Sequence, residues 1–413
     1  MIVKTQKGKN DRYRYVIAGL ILVVPLCTLL PYLAVSVLMD DIMLSLDIDY
    51  SLAGMTMTIM LVISGICMYF GSFIQKCLGL RQTVILAIML LSAGSVICYA
   101  AGSFTVLFAG RMVLGTGFGL NGVSLSPFMG TWFSGKQRTF MISANLIANS
   151  LAAVASYSLA NPLKNLLGSW NRVFLAYSLF IIAIAAVWII FSKSNEKPQA
   201  HAEQEGDRNA MAQGNPLICA MKIRQYWVIM VMGIFMHAAM TALTAYLPSY
   251  LVANKGFSVE LAATVSSANS IANILGALIG GAVVAKTGRK KLNIHVGLLL
   301  YMLGGLGITL VDSRLLIYIS AALVGFSFMF IIPSQSTISM ETIHPFNPSI
   351  FAAALALSSG TVNISSITVA PLFTSLSNTV GMTWTLRLFF LFPCVSLVFS
   401  FLLRETGSRK LLD

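Results

Sequence analysis

Two stretches of this sequence place asparagines where their amides need partners. The stretch SANLIAN at 143–149 returns as SANSIAN at 267–273, each time inside a long apolar run. In a helix, residues four apart lie on one face, so each pair forms a polar stripe on an apolar cylinder. An amide both donates and accepts hydrogen bonds, so such a stripe can bind a polar solute or another helix.

The position of each amide along its run predicts which role it has. We expect Asn145 and Asn269 to link helices by hydrogen bonds, because they lie nearer the ends of their runs. Asn149 and Asn273 lie nearer mid-span, and we expect them to contact a substrate together with Asn363. The alternative for all of them is hydrogen bonding between helices.

Arg111 is the deepest permanent charge in the apolar runs. An ionisable side chain in a membrane is costly, so it is a candidate functional residue. In a cavity without a carboxylate to neutralise it, Arg111 would favour an anion or a strongly polar acceptor. The alternative is a packing residue whose guanidinium is bonded to backbone carbonyls.

Two further stripes could face a central cavity. His237 begins one with Thr241 and Thr244, and Tyr32 belongs to another with Ser36. We expect His237 and Tyr32 to contact a substrate, and His237 could also carry a proton. The alternative for His237 is a hydrogen-bonded packing residue.

The remaining composition excludes other chemistry. All 14 Asp and Glu residues lie in tails, loops or helix ends, which disfavours an exporter of cationic drugs. The six Cys and four His have no metal-ligand spacing, and no catalytic arrangement occurs within the apolar runs, so we expect no metal, no cofactor and no enzyme. The Gly-x-Gly-x-x-Gly pattern from Gly117 to Gly122 lies inside an apolar run, where small residues let helices approach closely.

The elements that position these residues are predicted to be membrane-spanning helices. The chain has 413 residues, of which 57% are hydrophobic and 10% charged, unlike the roughly 25% charged residues of soluble domains. We therefore predict an all-α membrane protein with twelve transmembrane helices. The apolar runs lie at about 15–38, 52–75, 82–102, 104–128, 138–163, 171–192, 225–252, 260–285, 291–311, 314–338, 349–376 and 384–403.

Charge predicts the orientation. Most of the 27 Lys and Arg residues fall on one side of the membrane if both termini are cytoplasmic. The net charge of +13 is thus explained by topology and by contact with anionic lipid headgroups, with no nucleic-acid partner. We expect a multi-pass protein of the plasma or inner membrane.

The runs divide into two related halves. Landmarks recur about 210 residues apart, as in repeated transporter folds. We predict a cytoplasmic tail, a six-helix half, a polar cytoplasmic linker, a second six-helix half and a second tail, at 1–14, 15–192, 193–224, 225–404 and 405–413. The fifth and eighth runs, which carry the Asn pairs, are expected to be antiparallel neighbours between the halves.

The sequence of one loop resembles the signature of a known protein family. The loop after the eighth run, GAVVAKTGRKK, carries Gly281, Gly288, Arg289 and Lys290. It resembles the Gly-x-x-x-Asp-Arg/Lys-x-Gly-Arg-Arg/Lys loop of the major facilitator superfamily, with Ala285 at the acidic position.

The first half carries two further parts of this resemblance. The loop after the second run keeps Gly71, Gly79 and Arg81, but has Gln75 or Lys76 where the acid would fall. The stretch RMVLGTGFG, beginning at Arg111, is similar to the family's Arg-x-x-x-Gly-x-Gly pattern.

The resemblance implies a transporter with alternating access, in which the loop residues act in gating. The missing acids imply a softer clamp, or one made by hydrogen bonds. We expect a monomer in the lipid bilayer that moves a small organic anion or polar solute, with a coupling proton or counter-substrate. Two alternatives stay open, namely efflux of hydrophobic drug-like compounds and a transporter-like sensor without flux.

Overall fold

The computed structural model describes residues 2–133, 135–192, 221–343 and 348–403, and over these residues it contains helices and no strands. The long helices are α1 (Ile2–Val37), α2 (Tyr50–Leu78), α3 (Leu80–Tyr99), α4 (Phe104–Trp132), α5 (Gly135–Leu167), α6 (Trp170–Phe191), α7 (Arg224–Lys255), α8 (Val259–Thr287), α9 (Lys290–Leu310), α10 (Arg314–Ile343), α11a (Pro348–Ser365), α11b (Val369–Val380) and α12 (Met382–Ser400). A short helix, Met39–Leu46, follows α1. Most of the predicted linker (193–220) and the predicted C-terminal tail lie outside the described residues, whereas α1 already begins within the predicted N-terminal tail.

Ten helices in the described part of the chain are long and apolar enough to cross a membrane, and in α1 the spanning part is Tyr13–Val37. The helices α5 and α11 complete the twelve of the predicted all-α fold, which is confirmed. α5 is more polar because it carries the first Asn pair. α11 is broken by a 3-10 turn at Ser366–Thr368, just before Pro371, whose ring and missing N–H disrupt an α-helical ladder.

Glycines hold the second and fourth helices of each half in contact. A Cβ at Gly115 or Gly119 would lie 2.5 Å from a carbonyl oxygen of α2, and one at Gly280 would lie 2.5 Å from the carbonyl oxygen of Phe330 in α10. No side chain fits at these distances, so the backbones touch where the sequence predicted close approach.

In the described part of the chain, the main contacts between the two halves, α1–α6 and α7–α12, are made by pairs of helices. These are α1 with α7, α2 with α11, and α5 with α8. The prediction that α5 and α8 are antiparallel neighbours is confirmed, because Oγ of Ser158 lies 3.4 Å from Oγ of Ser267, and Asn161 bonds to Glu260.

The bundle has two ends, which we name by residues. The Asp40 end carries the short helix Met39–Leu46 and the α5–α6, α7–α8 and α9–α10 connections. The Gly288 end carries the α2–α3 connection at Gly79 and the α8–α9 connection at Gly288.

Candidate functional site

Arg111 is fully buried where α4 crosses α1 and α2. Its Nε donates to the carbonyl oxygen of Thr56 at 2.8 Å, Nη1 to that of Pro31 at 2.7 Å, and Nη2 to that of Tyr32 at 3.3 Å. Three carbonyl dipoles thus share the positive charge, and no part of the side chain is accessible. This geometry is that of the packing alternative.

Tyr32 lies beside this cluster. The guanidinium carbon of Arg111 is 5.8 Å from the centre of its ring, within cation–π range, and the Phe118 ring centre is 6.0 Å away. The side chain is 8% exposed, so Tyr32 mainly fills the contact between α1 and α4.

The Asn pairs behave differently in the two halves. On α5, Nδ2 of Asn149 donates to the carbonyl oxygen of Asn145 at 2.8 Å and approaches Oδ1 of Asn145 at 3.2 Å, within one helix. On α8, Nδ2 of Asn269 donates to the carbonyl oxygen of Ala321 in α10 at 2.8 Å. Asn269 therefore links helices as expected, whereas Asn145 accepts a bond from its own helix.

A small cavity lies between α5, α8 and α10. Its volume is about 230 Å³, and Ser150 of α5 and Asn273 of α8 line it at one level. Oδ1 of Asn273 is buried and has no hydrogen-bond partner among the described residues. The other lining residues are Leu146, Ile147, Ile274, Ala277, Leu278, Gly281, Met329 and Pro333.

Asn363 lies at a second contact between the halves. Its Nδ2 is 3.3 Å from Oγ of Ser64 in α2. One turn nearer the Gly288 end, Oη of Tyr69 is 2.6 Å from Oγ1 of Thr361, and a Cβ at Gly65 would lie 2.5 Å from the carbonyl oxygen of Gly360. Asn363 thus belongs to a tight α2–α11 seam.

His237 lies in α7, near the same seam. One turn earlier, a Cβ at Gly233 would lie 3.0 Å from Val362 of α11. Nε2 of His237 is buried and has no hydrogen-bond partner in the described part of the chain. The structure does not bring His237 into contact with Arg111, Asn149 or Asn273.

The signature loop of the first half is held by hydrogen bonds. Gly79 has φ +82°, a conformation that favours glycine. Arg81 donates through Nε to Oγ of Ser192 and through Nη2 to the carbonyl oxygen of Ile189, both at 2.9 Å, which caps the end of α6.

The end of α2 before this loop contacts α4. Gln75, at the position of the missing acid, donates to the carbonyl oxygen of Val123 at 3.0 Å. Gly71, one helical turn earlier, is buried against Val123.

The second signature loop uses different residues for the same contact. Gly288 has φ +64° and caps α8, its N–H donating to Val284. Lys291, and not Arg289, donates to the carbonyl oxygens of Phe401 at 2.7 Å and Leu403 at 3.2 Å after α12. Arg289 is exposed and Lys290 is buried, while no atom lies within 4 Å of a Cβ built at Gly281.

The Asp40 end carries a cluster that sequence analysis did not single out. Nδ2 of Asn161 in α5 donates to Oε1 of Glu260 in α8 at 2.7 Å, which joins the two halves. Nζ of Lys164 lies 3.0 Å from Oδ2 of Asp41. Polar residues at helix ends are usually solvated, so these four residues can be recognised as a cluster only from their contacts in the structure.

Asp40 is half-buried in this cluster. Burial is the main cause that raises the pKa of its carboxyl group, and the charge of Asp41 adds to it. Hydrogen bonds from Tyr50, at 3.4 Å from Oδ1, and from Ser249 of α7 act in the opposite direction. The pKa of Asp40 is therefore raised where the short helix meets the second half.

In the described ranges, no group of three or more His, Cys, Asp and Glu residues lies close enough together to hold a metal ion.

Twelve spans in two halves, with polar contacts at their interface, define a membrane protein of the transporter type. The family model of the Major Facilitator Superfamily matches residues 21–347, and the chain belongs to this family.

The similar proteins support the fold but do not identify a substrate for this chain. The chain is 26% identical over 193 residues to "Uncharacterized protein Cj0987c" of Campylobacter jejuni subsp. jejuni serotype O:2, a match that covers 47% of this chain and 57% of that protein. The crystal structure of a D-xylose-proton symporter has TM-score 0.77 at 15% identity, covering 96% of this chain and 98% of the other.

Two further solved structures resemble this one. A bacterial homolog of the human lysosomal transporter Spinster, inward-facing and occupied, has TM-score 0.74 at 13% identity, covering 96% of this chain and 98% of that one. The xylose transporter XylE from E. coli, in a partially occluded inward open conformation, has TM-score 0.75 at 16% identity, covering 96% and 99%.

Proposed function

We propose that the protein is a secondary transporter that moves a small, polar, uncharged solute by alternating access. The observation that carries this proposal is Asn273, whose unpartnered Oδ1 belongs to a side chain lining the cavity between the halves. A buried acceptor without a partner costs free energy, and once the amide turns toward the cavity, a hydroxyl or amide of a solute would supply the missing donor.

The state of Arg111 favours an uncharged solute over an organic anion. Its guanidinium is bonded to three carbonyls and is inaccessible, so it is not available for a carboxylate. The polar side chains at the cavity, Ser150 and Asn273, are neutral. If transport is coupled to a proton, His237 and Asp40 are the candidate carriers.

A second candidate is transport of hydrophobic or amphipathic compounds. The cavity wall is mostly apolar, and two of its residues, Leu146 and Leu278, are also exposed on the outside of the bundle at 43% and 53%. A solute dissolved in the bilayer would meet these side chains first.

The test is a thermal-shift screen of the purified protein, because a ligand that binds the folded state raises its apparent stability. The screen contains sugars and polyols, organic anions and hydrophobic drugs, beginning with pentoses because two of the similar structures are xylose transporters. Ligands found in it are then measured by counterflow in proteoliposomes. A ligand that binds without counterflow would indicate a sensor.

Variants connect the ligand to the cavity. Asn273→Leu should weaken binding of a polar ligand at least about tenfold, the effect of losing roughly one hydrogen bond in a buried site. Ser270→Ala is the matched control, because Ser270 lies one turn earlier on α8 and bonds to its own helix. Equal affinity of both variants would contradict the proposed site.

A further inference from the structure

A second cavity, of about 440 Å³, lies at the Gly288 end on the outside of the second half. Its described lining residues belong to α8, α9, α10 and the α8–α9 connection, and none of them lines the cavity between the halves. The lining residues are Val283, Lys286, Thr287, Arg289, Leu292, Asn293, Val296 and Phe330.

Two basic side chains line this cavity, and neither is engaged by another described residue. Lys286 and Arg289 are exposed, and neither side chain has a hydrogen bond or ion pair with another residue in the described ranges. By contrast, Arg81 and Lys291 cap the ends of α6 and α12. Lys286 and Arg289 thus differ from Arg81 and Lys291, because they lie at the cavity and cap no helix end.

The wall itself favours an anionic ligand. α9 begins here, its N-cap residue Arg289 makes no side-chain cap, and the positive end of the helix dipole lies at the cavity. Asn293 is 3% exposed and donates through Nδ2 to the carbonyl oxygen of Phe330 at 3.0 Å and to Oγ of Ser334 at 2.6 Å. These bonds fix the amide orientation and leave Oδ1 without a partner among the described residues.

The remaining wall is apolar and faces outward. Leu292 and Val296 are 51% and 40% exposed on a helix that crosses the membrane. Among the described residues, no acidic side chain lines the cavity. An occupant that fits has a negative group at the membrane boundary and an apolar part in the bilayer.

We propose that this cavity binds an anionic phospholipid. Lys286 and Arg289 hold its phosphate beside the N-terminus of α9, and an acyl chain lies along Leu292 and Val296. Such a site goes beyond the transport function, and its test does not depend on a transported solute.

The experiment is native mass spectrometry of the full-length protein titrated with phosphatidylglycerol, with phosphatidylcholine as the uncharged comparison. Lys286→Gln with Arg289→Gln should weaken phosphatidylglycerol binding roughly thirtyfold, from about 1 kcal/mol per basic residue near the membrane surface. Lys222→Gln with Arg224→Gln is the matched control, because it removes the same charge from exposed positions at the same end. Unchanged binding in the first double variant, or equal loss in both, would overturn the proposal.

Two further arms separate a lipid from a free phosphate and from a folding defect. Val296→Trp keeps both cations but fills the apolar wall, and should weaken lipid binding without changing the apparent Tm. If sn-glycerol 1-phosphate binds as tightly as phosphatidylglycerol, the ligand is a soluble phosphate and the lipid proposal is wrong.

A third variant tests the charge argument. Exchanging the cations, as Lys286→Arg with Arg289→Lys, keeps the charge and should retain binding. Loss of binding in this folded variant would contradict the charge argument.

Discussion

Nη1 of Arg111 donates to the carbonyl oxygen of Pro31 across 2.7 Å and so ties α4 to the proline-containing turn of α1. A related link occurs in the second half, where Nδ2 of Asn269 donates to the carbonyl oxygen of Ala321 in α10. Each half thus has a buried polar side chain that bonds to the backbone of another helix. In the first half the donor is charged, and its charge is shared by three carbonyls.

This arrangement predicts that Arg111 stabilises the fold. Arg111→Gln should lower the apparent Tm clearly, because each hydrogen bond lost from the charged guanidinium costs about 1.5–3 kcal/mol. Arg111→Lys should lower it less, since one ammonium keeps the charge but loses the planar fork. The measurement is thermal unfolding of the purified variants.

The opposite result would restore the anion hypothesis. If Arg111→Gln unfolds at the wild-type temperature and selectively loses affinity for an organic anion, Arg111 contacts substrate in another state of the transporter.

The left-handed conformation at Gly288 gives a second prediction. Gly288→Val should block transport while leaving expression intact, because a β-branched residue is strained at φ +64°. Gly102→Val is the control, since Gly102 has no positive φ and no atom lies within 4 Å of a Cβ at that position. Normal transport by Gly288→Val would show that this loop has no role in gating.

The helices and their pairing could be predicted from sequence, because apolar length and the repeated Asn stretches report directly on membrane spans and symmetry. The partners of Arg111 could not, because backbone carbonyls of distant helices have no residue-type signal. The same holds for Lys291, which makes in the second loop the contact that Arg81 makes in the first. Asn161 and Glu260 were missed because a polar residue at a helix end is expected to be solvated.

Asp40 predicts a pH dependence at its end of the bundle. Its pKa is raised above that of an unfolded Asp, mainly by burial, so the folded protein binds the proton more tightly than the unfolded chain. The contribution of Asp40 to stability should be fully present below the ordinary Asp pKa and be lost as pH rises through the raised value. Asp40→Asn should remove this decrease and raise the apparent Tm at neutral pH.

The neighbouring carboxylate supplies the control. Asp41→Asn breaks a partly exposed ion pair with Lys164, which should change stability by less than about 1 kcal/mol. If Asp40→Asn is less stable than wild type at neutral pH, the charged form of Asp40 is the stabilising one and the argument is wrong.

The orientation is a further prediction, with the Gly288 end and both termini in the cytoplasm. Single cysteines at Leu44, which is 86% exposed at the Asp40 end, and at Lys222, which is exposed at the opposite end, form a matched pair in a cysteine-free background. An impermeant thiol reagent added to intact cells should label position 44 and not position 222. The reverse pattern would invert the topology.

The most direct test of alternating access is a reversible cross-link between α5 and α8. Asn161 and Glu260 are in contact at 2.7 Å through their side-chain ends across the halves, so Asn161→Cys with Glu260→Cys can be joined by a short bifunctional methanethiosulfonate, whose bonds to the two cysteines are reducible. The measurement is counterflow of the ligand found by the thermal-shift screen, before cross-linking, after it, and after reduction. Our account predicts that counterflow stops when the Asp40 end is locked and returns on reduction, while each single-cysteine variant is unaffected. Undiminished counterflow through fully cross-linked protein would show that the halves need not separate at this end, and would contradict the proposed mechanism.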